Sequence, residues 1–204
     1  RWKPIVPVPK HAPPPRFRWG YRDKAAGTWV ELDAVRSWAY EFEGERYGHV
    51  ARFERVNSKA EVVKDTIPFT WCTDTTDPRG SQRWATKTWD APRPLYVPAT
   101  LLSADLSLPV VVVEGEKCAQ ALIDLGVCAT TAMHGANAPV EKTDWSPLSG
   151  KHVLIWPDRD KPGWQYSDHA SQAIMQAGAK SCVILQPPAE KPEGWDVADA
   201  VQDD

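Results

Sequence analysis

Apolar and polar positions change rhythm near residue 100. Before it the chain alternates with a period of two. Residues 38–43 (WAYEFE) and 47–56 (YGHVARFERV) each send every second side chain to one face, and the intervening GER has turn composition, so the pair predicts a β-hairpin. Asn57-Ser58 marks another turn and residues 61–69 continue the meander. Residues 83–89 (RWATKTW) predict one more strand, closed by Pro92 and Pro94, and PLYVPATLL leads onward. Residues 1–18 hold six prolines and no periodicity. They predict an extended arm, either a linker or a strap across the next domain anchored by Trp2, Ile5 and Val8.

After residue 100, short apolar runs alternate with helical periodicity. Val110, Val111, Val112 and Val113 are too few and too branched for a helix core and read as a buried strand of a parallel sheet. Residues 116–125 follow as a helix with Cys118, Ala121, Leu122 and Leu125 on one face and Gly126 as its stop. Residues 127–132 predict a strand, 134–137 (HGAN) a turn, and then a long loop carries Trp145 and Pro147. Residues 152–156 predict a strand, 164–177 a helix burying Tyr166, Ala170, Ala173, Ile174 and Ala177, and 181–185 a strand. A loop over 187–194 leads to a helix beginning at 195–201. With right-handed crossovers the expectation is α/β: a four-stranded parallel sheet covered on both faces, preceded by a smaller, mostly-β basic domain. The expected division is an arm over 1–18, a β domain over 19–100 and an α/β domain over 101–204.

Composition adds two constraints. The 204 residues suffice for one large or two small domains. No apolar run approaches the ~18 residues that span a bilayer, and RWKPIVPVPK lacks a signal-peptide core, so a cytoplasmic protein is expected, with no membrane partner. A start at Arg1 rather than Met is what a piece of a longer protein shows. Cys72, Cys118, Cys128 and Cys182 form no CxxC pair, which argues against a zinc ribbon within the chain and for buried free thiols. The net charge of −3 is unevenly split: 17 Lys and Arg against 12 Asp and Glu in residues 1–100, then 7 against 15. The basic half interleaves Arg52, Arg55, Arg83 and Lys87 with tryptophans, as surfaces that grip single strands do, although alternating Trp more often builds a β core, so the arginine face rather than most of the Trp is expected to meet nucleic acid.

The chemistry gathers where two apolar runs stop at acid. VVVVEGE delivers Glu114 directly after a strand, and IWPDRDKPG delivers Asp158 and Asp160 just past another. Ligands of open parallel sheets sit at the carboxyl ends of the strands. Three carboxylates on one such edge repel one another unless cations occupy the site, and hard oxygen donors suit Mg²⁺ or Mn²⁺ serving a phosphate substrate. D-R-D-K-P-G is also good turn sequence. Its likeness to an EF-hand loop fails, because the later ligand positions are missing and Pro162 intrudes.

The order VVVEGEK, then IWPDRDKPG, then GWDVADAV over residues 109–201 resembles the Toprim domain, in the form carried by primase-like proteins of phages, plasmids and integrated elements. The resemblance implies a DNA primase core that joins ribonucleotides on single-stranded DNA with Mg²⁺ or Mn²⁺. It implies Glu114 as general base or acid, or as a metal contact. It further implies Asp158 and Asp160 as metal ligands, with Asp196 and Asp199 completing a second position, where Asp199 equally suits a solvent-facing role. Lys117, Arg159 and Lys161 stand beside the acids, to steer triphosphate or simply to be solvated, and the amides around Gly135 are in reach of phosphate. His134 is read as structural. Implied partners are a template strand, nucleoside triphosphates, a replicative helicase or fused helicase domain, and a zinc-binding domain upstream of this chain. A Toprim nuclease and a non-catalytic module binding single strands or a helicase are the alternatives.

Overall fold

A computed structural model describes residues 1–23, 27–57, 59–137 and 139–203, with side chains at all of these but 98–100 and 203. The chain divides into one unit of Arg1–Tyr40 with Glu45–Asp90 and a second of Glu41–Gly44 with Ala91–Asp204.

The first unit is built from β1 (Trp2–Pro4), β2 (Arg18–Arg22), β3 (Trp29–Asp33), β4 (Arg36–Phe42), β5 (Glu45–Val56), β6 (Val62–Asp74) and β7 (Gln82–Ala85). β2 and β3 pair by themselves, and the other five form a sheet in the order β1-β6-β5-β4 with β7 also on β6. The predicted hairpin and meander are both present. At the predicted 57–58 turn, Asn57 Oδ1 accepts from the Lys59 and Glu61 amides, while Ser58 lies outside the described residues. Ala51, Phe53 and Phe69 form the centre of a core against which Phe17, Trp19, Ile67 and Trp84 pack.

The proline-rich start is a strap. β1 pairs antiparallel with the end of β6, Trp2 opposite Asp74. Beyond it, Ile5 N–H donates to Trp71 O at 2.8 Å, Val8 N–H to Arg46 O at 2.7 Å, and Trp84 Nε1 to Pro13 O at 2.7 Å. The strand expected over 83–89 stops at Ala85. Instead of continuing the ladder, the Lys87 carbonyl accepts from the Thr70 hydroxyl, and Trp89 turns inward against Tyr40, its ring so close to Gly48 that a Cβ there would lie 2.9 Å from it. Burial of a large ring outweighs four more residues of edge-strand pairing.

The second unit begins with an unpredicted helix, α1 (Pro98–Ser103). Then come β8 (Val110–Val113), α2 (Glu116–Asp124), β9 (Ala129–Thr130), β10 (His152–Trp156), α3 (Lys161–Gln176), β11 (Ser181–Ile184) and α4 (Val197–Asp203). The four strands form one parallel sheet in the order β11-β10-β8-β9, flanked by helices. All four valines of β8 are buried. Val110 and Val112 join Val153, Ile155, Tyr166, Ala170 and Ile174 in one core cluster.

Four expectations change here. The strand over 127–132 shrinks to two residues, Ala129–Thr130, an edge strand paired with β8 alone. Leu125 is exposed rather than core, since α2 ends at Asp124 and the chain reverses at Gly126, whose φ is +80°. α3 starts at Lys161, three residues early, because Asp160 caps it and proline is tolerated in a first turn. Cys72 and Cys118 are buried free thiols as expected, whereas Cys128 and Cys182 are only half-buried. Among the described residues no helix is long and apolar enough to cross a membrane.

Candidate functional site

The parallel register sets Trp156 beside Val113, so β8 and β10 end side by side. Glu114 is the next residue of one strand and Asp158 follows the other by two. The two meet: the Asp158 amide donates to Glu114 Oε1 at 3.0 Å. Asp160 sits one step further on as the cap of α3, its Oδ1 accepting from Gly163 N–H at 2.7 Å. Gly163 is the residue that lets the helix come this close. A Cβ built there would lie 2.5 Å from Glu114 Oε1 and 2.6 Å from Asp158 O, distances that real side chains do not tolerate.

Two acids at this edge, Glu114 and Asp158, resist ionisation. Burial pushes Glu114 up to about 7; the Asp158 amide opposes that rise and the Asp160 charge adds to it. Burial and then the charges of Glu114, Asp196, Asp160 and Asp199 push Asp158 up to about 8. The other four carboxylates singled out in the sequence therefore lie within electrostatic reach of Asp158. Asp196 and Asp199 cap α4 reciprocally: Asp199 N–H donates to Asp196 Oδ1 at 2.8 Å and Asp196 N–H to Asp199 Oδ2 at 3.1 Å. Lys117, in the first turn of α2, reaches Asp196 Oδ2 at 3.4 Å.

The other site residues are placed less uniformly. Arg159 is tied into the loop after β11, its guanidinium donating to Ala189 O at 2.7 Å and its amide to Trp195 O at 3.0 Å. Lys161 is exposed at the start of α3. Gly135 is buried at φ +52°, and a Cβ on it would lie 3.4 Å from Gly115 N, so the HGAN turn rests against the backbone just after Glu114. Gly115 N–H in turn donates to Thr131 Oγ1 at 2.9 Å. In the first unit, Arg52 pairs with Glu54 at 3.0 Å and Arg55 with Asp65 at 2.9 Å while lying over Tyr21. Arg83 stacks on Trp2 at 4.1 Å.

No three His, Cys, Asp or Glu side chains among the described residues converge as a metal-holding group. The donor set is nevertheless of the hard-oxygen kind. The oxygens of the Asp158 side chain accept no hydrogen bond among the described residues, unlike those of its four neighbours. A half-buried acid left without a donor among like charges fits a divalent cation better than it fits a folded chain alone.

Sequence reasoning gave no role to Gly163 or Thr131. The xxG after DxD marked the first, as a glycine at a helix start. Nothing marks a lone threonine as the support of Gly115.

No family model and no curated protein matches the chain. Three solved structures similar to it are primase domains. A DNA primase domain from Pseudomonas aeruginosa shares 15% identity over 90% of this chain and 52% of its own, with a TM-score of 0.45. The zinc-binding and RNA polymerase domains of the Aquifex aeolicus primase share 15% over 89% of this chain and 40% of that one, with a TM-score of 0.48. A DnaG catalytic core shares 16% over 76% of this chain and 48% of that one, at 0.39. The chain spans about half or less of each.

Proposed function

We propose that the second unit is the nucleotidyl-transfer core of a DNA primase serving a mobile element, synthesising short RNA primers on single-stranded DNA. The observation that carries the reading is the meeting of Glu114 and Asp158 at the carboxyl ends of two adjacent parallel strands, with Asp160, Asp196 and Asp199 around them. Glu114, lifted to about 7, is poised near neutrality, where a general base works best. It accepts the proton of the attacking 3′-hydroxyl as that oxygen bonds to the α-phosphorus of the incoming nucleotide and pyrophosphate leaves. Asp158, Asp160, Asp196 and Asp199 would hold Mg²⁺ or Mn²⁺, which when bound neutralises the phosphates. Lys117, Lys161, Arg159 and the amides around Gly135 border the triphosphate. Arg52, Arg55, Arg83 and Lys87 contact the template, and a helicase and an upstream zinc-binding domain are the partners of the whole protein.

One observation favours a non-catalytic binding module instead: Asp160, Asp196 and Asp199 already serve as helix caps. Primer synthesis on circular single-stranded DNA with labelled ribonucleotides separates the two readings. Glu114→Gln is expected to lower yield by about 10²–10⁴-fold with its melting curve unchanged. Parent-level yield from that variant defeats the mechanism, and a parent that makes no primer yet binds the strand favours the module.

A further inference from the structure

One cavity of the first unit holds none of these carboxylates. It measures about 680 Å³, and none of its ten lining residues is acidic. That size falls within the roughly 300–1,000 Å³ of small-molecule sites. Five of the lining residues are cations: Arg1, Arg16, Arg18, Arg83 and Lys87. Arg18 is partly neutralised by Asp33 at 3.0 Å and Glu31 at 3.8 Å. Among the described residues, no carboxylate pairs with the side chain of Arg16, Arg83 or Lys87. The three cations left unpaired around one hollow favour an anion there.

The rest of the lining is aromatic. Trp84 is fixed by its hydrogen bond to Pro13 and by edge contacts to His49 and Trp71. Trp2 comes from β1 and carries the Arg83 guanidinium on one face, while Phe69 closes the base from the core. Rings held in place beside fixed cations are the elements of base stacking and phosphate capture. A second hollow of about 290 Å³ shares Arg1, Trp2 and Lys87 with the first and adds Lys3, with Asp90 as its one acid. With three cations against that one acid, the net-positive surface runs on past one nucleotide's worth of space, which suits a strand rather than a free nucleotide.

We propose that this cavity, walled by β1 and β7, seats one nucleoside phosphate of a single-stranded nucleic acid, its base against the Trp2–Trp84 wall and its phosphates on Arg16, Arg83 and Lys87. The proposal deepens the strand-binding part of the function given above and needs none of the carboxylates. Fluorescence anisotropy of a labelled oligothymidylate, read against the chain, Arg83→Ala/Lys87→Ala and a charge-matched control, tests it. The control is Arg22→Ala/Lys64→Ala, two exposed cations that line neither hollow. The pocket pair is expected to raise Kd by about tenfold or more and the control by less than about threefold. Trp2→Leu is expected to weaken binding without changing the salt slope. Arg16→Ala/Lys87→Ala touches no ring stack and carries the test if Arg83→Ala loosens β1. Equal losses in pocket and control variants would overturn the site in favour of a diffuse basic surface. Competition by thymidine triphosphate as strong as by unlabelled strand would overturn the strand assignment, and competition by inorganic triphosphate alone at that strength would overturn base stacking. Binding without primer synthesis counts against the catalytic reading only; primer synthesis with binding unchanged in the pocket pair counts against the pocket and the template contacts of Arg83 and Lys87, and leaves the catalytic reading standing.

Discussion

Gly163 shows how much of the site depends on a missing side chain. Its Cα faces Glu114 and the Asp158 carbonyl at a range no methyl group fits. Gly163→Ala is therefore expected to push α3 off the strand ends, costing about 1–3 kcal/mol in a urea melt and abolishing activity. Asp158 runs the other way. It sits among four carboxylates with no donor of its own, so Asp158→Asn is expected to stabilise the chain in EDTA by about 1 kcal/mol while removing metal-dependent activity. A loss of stability in that variant would mean the acid is compensated by contacts other than those seen here. The sequence made Glu114, Asp158 and Asp160 legible because each stands where an apolar run ends, and strand ends at one sheet edge converge whatever the loops do. It could not show that Asp160 and the Asp196–Asp199 pair cap helices, because an acid before a helix reads the same whether it holds an amide or a cation.

At the scale of elements, the sheet of the second unit follows from its four apolar runs, and the boundaries that moved did so for local reasons. β9 is an edge strand with little pairing to hold it. α3 gains a turn from the Asp160 cap. That cap is testable on its own: Asp160→Ala is expected to cost about 1 kcal/mol of stability from the lost Gly163 hydrogen bond, and Asp160→Asn, which can still accept, much less. Equal costs would show that charge rather than capping sets its contribution. α1 was not legible because one and a half turns of PATLLS give no period to detect. The strap was legible only as a choice, since proline-rich chain has no pattern that says whether it pairs. The structure resolves the choice through β6, whose last residues accept β1 on one side and β7 on the other.

For the molecule as a whole, the charge split seen in the sequence maps closely onto the two units, the basic residues largely in the β unit and the acids largely in the α/β unit. The units should also differ in their response to acid. His49 is buried between Phe17 and Trp84, and burial, helped by the Arg46 charge, lowers it from 6.5 to about 4. The fold thus holds it neutral. Its contribution is complete above pH 6.5 and is lost as pH falls through about 4, because the unfolded chain takes up the proton first. Hydrogen exchange of β5 and β6 amides is expected to accelerate over that window by an amount equivalent to roughly 1–3 kcal/mol, and less so in His49→Gln. Identical acid profiles for parent and variant would relieve His49 of that role.

The pairing of Trp2 with Asp74 has a consequence for how the chain is made. A ribosome releases β1 long before β6, its partner, exists, and β7 comes later still. Contacts separated by some seventy residues form slowly, because the intervening loop must close before pairing rewards it. During synthesis the N-terminal strand is therefore an unpaired edge carrying an exposed tryptophan, flanked by prolines that keep it from pairing prematurely with anything else. The first unit is finished from its end backwards: its earliest residues are among the last to find their place.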